Sequence, residues 1–460
     1  MLTMLFGLFA PKPPLAVREK AWTEVRMRWL TRQFGIERLL KAQVILPDDP
    51  RLPESYDGTP DDAQRLFDCI CGFIQIEPSS LRLEICEDDA MPGAAGQYRP
   101  GLIRLAESQL ADPPGLVAVL AHELAHDLLI GRGLLKNDLD AEWITDLLPV
   151  YLGLGLFTAN ATLRERSVRQ GRYRHWTLRR RGYLNSCTIG YALALFAWVR
   201  DERRPDWAKF LRLDAMHALA AGLRYLHASE DSLFSPETCR AVDRPTSWHA
   251  LLEQMEGSSP SACVAALWEL AQRPRDARDD MKQAVFMVRK RLLCRLPAVR
   301  AEAARALAAL GPVAEPALDD LVQLLGDTND EVRLAAAYAL GRLSMQPEMV
   351  VPNLMEALDD RDLVRPAAVA IAAYGPAARS AVPRLASSLL RALAETEYAH
   401  VDSLVHAIEA TAVDPAAELR QVMTACDEES RPQAEEILAD RHPVPTGTGA
   451  PGAWFGEWCQ

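Results

Sequence analysis

A self-similar pattern runs through the second half of the chain. Residues 299–307 (VRAEAARAL) recur 33 residues later as residues 332–340 (VRLAAAYAL), and a third copy begins at Val364, a further 32 residues on. Each copy continues through a turn into a second amphipathic segment. These second segments are Ala317–Leu325, Val351–Leu358 and Ala381–Leu393. Because small residues let paired helices approach closely and stacked units share one core, this periodicity predicts an all-α solenoid.

The repeated units resemble HEAT repeats of the short type over about Val299–Leu393. We expect a degenerate cap before them, at Ala265–Leu296, and another after them, through Leu438. The resemblance implies an all-α HEAT-like repeat domain over residues 261–440 that binds a protein partner, although some solenoids of this kind are only scaffolds.

A second motif, His122-Glu123-Leu124-Ala125-His126, lies in the first half. Residues four apart share a helix face, so both imidazoles can point at one metal ion, and Glu123 is placed to take a proton from a metal-bound water. Asp112-Pro113-Pro114 is a helix start signal, and the apolar run that follows ends at residues 131–133. Buried histidines need partners, which favours a metal over two separate hydrogen-bonded core histidines.

A catalytic zinc ion needs a third protein ligand. Glu142 and Asp146 lie one turn apart in residues 140–148, a second predicted helix. Glu142 is placed to complete the ligand set, and Asp146 to accept the free N–H of a ligating histidine. The alternative is an ordinary solvated acidic face, but the other residues of this helix are largely apolar.

These residues together resemble the gluzincin metallopeptidases, which share a His-Glu-x-x-His helix and a later helix with a Glu-x-x-x-Asp element. The resemblance covers roughly Leu81–Asn160. It implies hydrolysis of peptide bonds at a zinc (Zn) site, with three metal ligands, one general base and one residue that orients a ligand. The three metal ligands would be His122, His126 and Glu142. Glu123 would be the general base, and Asp146 would orient a ligating histidine.

Many such enzymes also use a side chain to stabilise the developing oxyanion. No motif identifies it in this chain. Tyr183 is our candidate for this catalytic role, with His175 and His217 as the other available groups, and each of the three has a structural role as its alternative.

The fold expected for residues 1–260 is an α+β, zincin-like domain with a small sheet and active-site helices. Apolar and polar residues alternate in Leu81–Cys86, as they do in a half-buried strand. Gly101–Leu105 is predicted to be a second strand, and Val44–Leu46 is a third candidate. An edge strand beside the metal could pair with an extended peptide. We expect Arg240–Ser259 to be a linker and residues 441–460 to be a flexible tail.

The net charge of −12 argues against nucleic acid as a general partner. One segment differs, because eight arginines crowd into residues 164–181 with aromatic residues among them. It is interpreted as a solvated connector between two helices, with an acidic partner or RNA as the alternative. Tyr183–Val199 is apolar but borderline in length, which predicts a buried core helix.

No transmembrane segment is predicted. The apolar start, Met1–Ala10, is interpreted as a docking segment, with a membrane-surface anchor as the alternative. The nine cysteines are scattered and odd in number, which favours a reducing, cytoplasmic location.

The sequence thus favours a zinc metallopeptidase whose HEAT-like repeats recruit a protein or peptide substrate or a regulator. The alternative is a catalytically inactive protein-interaction scaffold. A third possibility keeps the zinc ion but hydrolyses a non-peptide amide.

Overall fold

The structure is a computed structural model of the chain, and it is mostly helical. It describes residues 12–91, 93–135, 140–161, 163–170, 173–180, 183–235, 247–272, 278–395, 397–426 and 431. The predicted docking segment at the start and the predicted tail therefore lie outside the described residues. Two compact units divide between residues 244 and 245. Within the described ranges, no helix combines the length and the apolar character needed to cross a membrane.

A small three-stranded sheet lies in the first unit. Its strands are β1 (Arg82–Cys86), β2 (Gly96–Arg99) and β3 (Leu102–Ala106). The spatial order is β1-β3-β2, in which β3 is parallel to β1 and antiparallel to β2. Two of the three strands match the predicted segments.

The predicted third strand at residues 44–46 was wrong. The segment meets Pro47, and the Ile45 N–H donates to the Gly153 carbonyl at 3.1 Å instead of entering the sheet. The actual third strand, β2, lies between the two predicted strands, where none was predicted. It pairs with β3 through Pro100-Gly101, where Gly101 has a φ of 77° that an L side chain rarely adopts.

The described residues of the first unit also form eight helices, of which the third and fourth pack against the sheet. They are α1 (Val17–Phe34), α2 (Ile36–Lys41), α3 (Pro60–Ile74), α4 (Pro113–His126), α5 (Ala141–Tyr151), α6 (Gly155–Ala161), α7 (Ser186–Val199) and α8 (Leu213–Ala228). Helix α4 begins after Asp112 as predicted and continues through a π-helical turn at Asp127–Gly131. It packs against α5, α6 and β2. Helix α7 is the predicted core helix and is almost entirely buried.

The arginine-rich segment forms a two-stranded antiparallel hairpin between α6 and α7. Its strands are β4 (Leu163–Gln170) and β5 (Tyr173–Arg180), with Gln170 opposite Tyr173. The segment does connect two helices, as interpreted, but the strands themselves were not predicted. The sequence contains a signal for the hairpin, since Gly171-Arg172 has the composition of a two-residue type II′ loop.

The second unit is built from consecutive helix pairs. Its helices are α9 (Trp248–Glu256), α10 (Pro260–Ala271), α11 (Arg278–Arg291), α12 (Pro297–Leu310), α13 (Leu318–Leu324), α14 (Asp330–Leu343), α15 (Pro347–Ala357), α16 (Val364–Ala373), α17 (Val382–Ala394), α18 (Tyr398–Thr411) and α19 (Pro415–Ala425). The predicted repeat helices match α12 to α17 in order.

The prediction of a linker at residues 240–259 was wrong for the part of this segment that forms α9. Ser247 caps this helix by accepting the N–H of Ala250. Pro260 does not break helical structure. It occupies the first turn of α10, where its missing N–H costs nothing, and Ser259 caps that helix.

Arginine side chains link neighbouring repeats. Arg300 donates from Nε and Nη2 to both Asp327 carboxylate oxygens at 2.8 and 2.7 Å, and the Arg333 guanidinium lies 3.3 Å from Asp360. Burial by itself would raise the pKa of the Asp327 carboxyl. The hydrogen bonds from Arg300 and from the Asn329 N–H outweigh burial and lower this pKa.

We expect Asp327→Asn to reduce the free energy of unfolding by about 1–3 kcal/mol at neutral pH, because Arg300 loses a charged partner. A carboxyl whose folded pKa is lowered stabilises the fold above its unfolded value and loses that effect as pH falls through the folded value. The difference between variant and wild type should therefore shrink below about pH 4. Urea unfolding at several pH values measures it.

The matched control is Asp330→Asn, because Asp330 pairs with Arg333 but is 67% exposed. We expect this control to change stability by no more than about 0.5 kcal/mol. A difference between Asp327→Asn and wild type that stays constant with pH would contradict the assigned role of the ionised carboxylate.

Candidate functional site

Helices α4 and α5 bring three predicted metal ligands together. The Nε2 atoms of His122 and His126 lie 3.4 and 3.5 Å from the same oxygen, Oε2 of Glu142. The three donor atoms all lie within 4.8 Å of one another. In the part of the chain that the structure describes, this is the cluster of His, Cys, Asp and Glu that could hold a metal ion.

The donor set fits a zinc ion on two grounds. Imidazole nitrogen and carboxylate oxygen are ordinary zinc ligands with bond lengths of about 2.0–2.2 Å. In a tetrahedron of that size, two ligand atoms are separated by about 3.4 Å, which matches both nitrogen–oxygen distances at Glu142 Oε2. Small adjustments of side chains would therefore suffice to close the set around one ion.

Asp146 orients His122 and also binds the chain beyond the hairpin. Its Oδ1 lies 2.8 Å from His122 Nδ1, and its Oδ2 accepts the backbone N–H groups of Tyr183 and Leu184 at 2.6 and 3.0 Å. Burial would lower the pKa of His122, but the hydrogen bonds with Asp146 and Glu142 outweigh it and raise that pKa to about 10. The Asp146 contact leaves Nε2 of His122 directed at Glu142.

The Glu142 carboxylate is strongly acidic in this setting. Burial would raise its pKa, but the hydrogen bonds with His122 and His126 outweigh it and lower the pKa to about 2. An ionised carboxylate between two imidazoles is the form that binds a cation.

Glu123 is buried beside this set, with 5% of its surface exposed. It accepts the backbone N–H of Tyr98 from strand β2. Burial raises the pKa of Glu123, although the charges of the two histidines act in the opposite direction. The β2 backbone is so close that a Cβ on Gly96 would lie 2.5 Å from Glu123 Oε1 and 2.8 Å from its Cγ.

Tyr98 contacts the site, and the sequence motifs did not predict this. Its ring stacks on His126, with ring centroids 6.1 Å apart, and its hydroxyl donates to Asp127 Oδ1 at 3.2 Å. The alternation of Gln97, Tyr98 and Arg99 between two glycines is the local signal that would have placed a strand there.

Tyr183 lies beside the site and its ring stacks on His122, with a centroid separation of 6.4 Å. The side chain is 47% exposed. Burial of the hydroxyl is the largest cause of its raised pKa, and the charges of Glu142, Asp146 and Glu123 add to it. The role of Tyr183 at an oxyanion stays a prediction. His217 is an exposed residue of α8, and the His175 side chain lies outside the described residues.

The start of α5 is fixed by contacts with α1. Asp140 accepts two hydrogen bonds from Arg26, at 2.7 and 2.8 Å, and one from Trp22 Nε1 at 2.6 Å. The Trp22 ring also meets the edge of Trp143. These contacts hold the turn that carries Glu142.

Comparison with known proteins bears on the second unit. A family model described as HEAT repeats matches residues 249–340, 288–375 and 318–409. These residues contain HEAT repeats. The matched region is about a third of the chain and includes none of the three predicted metal ligands.

Two engineered proteins of known structure show weaker likeness. One is 23% identical, covering 42% of this chain and 95% of its own, with a TM-score of 0.30. The other is 16% identical, covering 92% of this chain and 93% of its own, with a TM-score of 0.32. No curated protein matches the sequence. The resemblance of the first unit to gluzincins gains no support from these comparisons and stays a prediction.

We expect Gly96→Ala to lower the free energy of unfolding by about 1–3 kcal/mol, because the added methyl group would collide with Glu123 and Val119. Urea unfolding of the full chain measures this effect. The control is Gly72→Ala in α3, where an added Cβ meets nothing within 4 Å. Alanine should stabilise that helix by about 0.5–1 kcal/mol. Wild-type stability in Gly96→Ala would contradict the close approach of β2.

Proposed function

We propose that this chain is a zinc-dependent hydrolase, most specifically a metallopeptidase, with a HEAT-repeat region that binds a protein substrate or regulator. The observation that supports the hydrolase is the convergence of the His122, His126 and Glu142 donor atoms within 4.8 Å of one another, with Glu123 buried next to them. The match to HEAT repeats supports the protein-binding part, because such repeats usually mediate protein interactions.

His122, His126 and Glu142 would hold the ion. When bound, zinc supplies a Lewis acid that polarises a carbonyl group and lowers the pKa of a water molecule. The residues of this chain would do the rest. Asp146 keeps the His122 ring in place, and Glu142 contributes a negative charge at the ligand set.

Glu123 would move the proton. Its carboxylate would accept a proton from the attacking water and deliver it to the nitrogen of the leaving amine. Burial raises the pKa of Glu123, which makes its carboxylate a stronger base than an exposed one. The Tyr98 N–H holds the carboxylate at the edge of β2 while this happens.

A non-catalytic interaction scaffold is the second candidate. The HEAT-repeat match favours it directly, and none of the comparisons supports hydrolase activity. The two candidates differ in whether the chain needs a metal ion. A third candidate, hydrolysis of a non-peptide amide, shares the same site and differs only in substrate.

Elemental analysis of the purified chain tests the metal site. We expect about one zinc ion per wild-type chain and a large loss in Glu142→Ala, because two histidines alone leave the set incomplete. The control is Glu37→Ala, since Glu37 is 69% exposed and pairs with Lys41 one turn away. Absence of zinc from wild type after reconstitution would favour the interaction scaffold.

Glu123→Gln tests the proton transfer. We expect this variant to keep its zinc and to lose about 100-fold or more of any hydrolytic rate, because an amide cannot serve as the base. The assay measures new amino termini released from a denatured protein mixture. Wild-type turnover by the zinc-loaded variant would remove Glu123 from the mechanism.

A further inference from the structure

Thr145 contacts the second histidine of the site. It lies on α5 one residue before Asp146, and its side chain is 0% exposed. Its Oγ1 is 3.5 Å from His126 Nδ1. Glu142, Thr145 and Asp146 are spaced at i, i+3 and i+4, so they share one face of α5 that looks onto α4.

The proton of the Thr145 hydroxyl is already engaged. The hydroxyl donates to the Ala141 carbonyl at 2.9 Å, four residues back in the same helix. A hydroxyl has one proton and two lone pairs, so toward His126 it can only accept. Nδ1 of His126 therefore carries a proton.

This assignment leaves the other nitrogen free for a ligand. With Nδ1 held by Thr145, Nε2 is the nitrogen of His126 that is available to a metal ion; in the metal-free chain it faces the Glu142 carboxylate, 3.5 Å from Oε2. His122 has the same arrangement, with Nδ1 bonded to Asp146 and Nε2 directed at Glu142. One face of α5 therefore contacts Nδ1 of both histidines of α4.

We propose that Thr145 is a positioning residue that fixes the tautomer and ring orientation of His126 for zinc binding, as Asp146 does for His122. This inference rests on the proposed zinc site. Partners of this kind, which hold the non-ligating N–H of a histidine, typically contribute about 10- to 100-fold to metal affinity.

The test is zinc affinity of the full chain, measured by competition with a chromophoric chelator. Thr145→Val keeps the shape of the side chain but leaves His126 Nδ1–H without its acceptor. We expect it to weaken zinc binding by about 10- to 100-fold. Thr145→Ser keeps the hydroxyl, and its zinc affinity should return to near that of wild type.

Thr23→Val is the matched control. Thr23 is also 0% exposed and also donates to the carbonyl four residues back, Glu19, at 2.8 Å. It has the same local role in α1 without the contact to His126, so its zinc affinity should equal that of wild type. Equal affinities of Thr145→Val and wild type would overturn the inference while the zinc site stands. Failure of wild type to bind zinc would overturn both.

A second measurement does not depend on the folding of any variant. In zinc-loaded wild type with ¹⁵N-labelled histidine rings, we expect both His122 and His126 to be bound through Nε2 and protonated at Nδ1. The pattern of ring nitrogen–proton correlations in NMR spectra distinguishes this from the opposite tautomer. Coordination of His126 through Nδ1 would overturn the role of Thr145.

Discussion

Polar groups buried between α4 and α5 must satisfy one another, and this requirement fixes how the two helices meet. Helix α4 is apolar over most of its length, yet it buries Glu123 and His126. A buried polar group without a partner costs roughly 1–3 kcal/mol or more. Glu123 accepts the Tyr98 N–H from β2, whereas the two histidines find their partners on one face of α5. A shift of α5 by one residue, a rotation of about 100°, would therefore remove the partners of both histidines at once.

Asp146 extends this constraint into the core of the first unit. One of its oxygens orients His122, and the other accepts the N–H groups of Tyr183 and Leu184, just before α7. Asn185 then caps α7 by accepting the N–H of Thr188. The most apolar helix of the unit therefore starts from a point fixed by the site, and the stacking of Tyr183 on His122 follows from the same carboxylate.

Local periodicity explains which site residues could be predicted. His122, Glu123 and His126 lie within one turn of helix, and Glu142 and Asp146 within another, so each set is visible in the sequence. Their convergence depends on the packing of two helices, which the spacing could only suggest. Thr145 was missed because a threonine at helical spacing is common, and its contact with His126 exists only in the folded chain.

Errors in the predicted fold also lie where local pattern and tertiary structure differ. Helix α9 lies inside the predicted linker, and Ser259 and Pro260 at the end of that linker start the next helix. The hairpin of β4 and β5 was hidden by its arginines, which mask the alternation that usually marks strands. The repeats were predicted well because each HEAT unit packs on its neighbours in sequence, so short-range pattern and fold coincide.

The burial of Glu123 is the strongest physical argument for chemistry in the first unit. A unit that served only as a scaffold would gain stability from an apolar side chain at this position, since burying a carboxyl group opposes its ionisation and raises its pKa. Position 96 is a glycine, and a side chain there would collide with the same carboxylate. Two neighbouring positions thus depart from the best packing to keep one acid beside two histidines. A proton-transfer role explains both departures, whereas protein binding by the HEAT repeats explains neither.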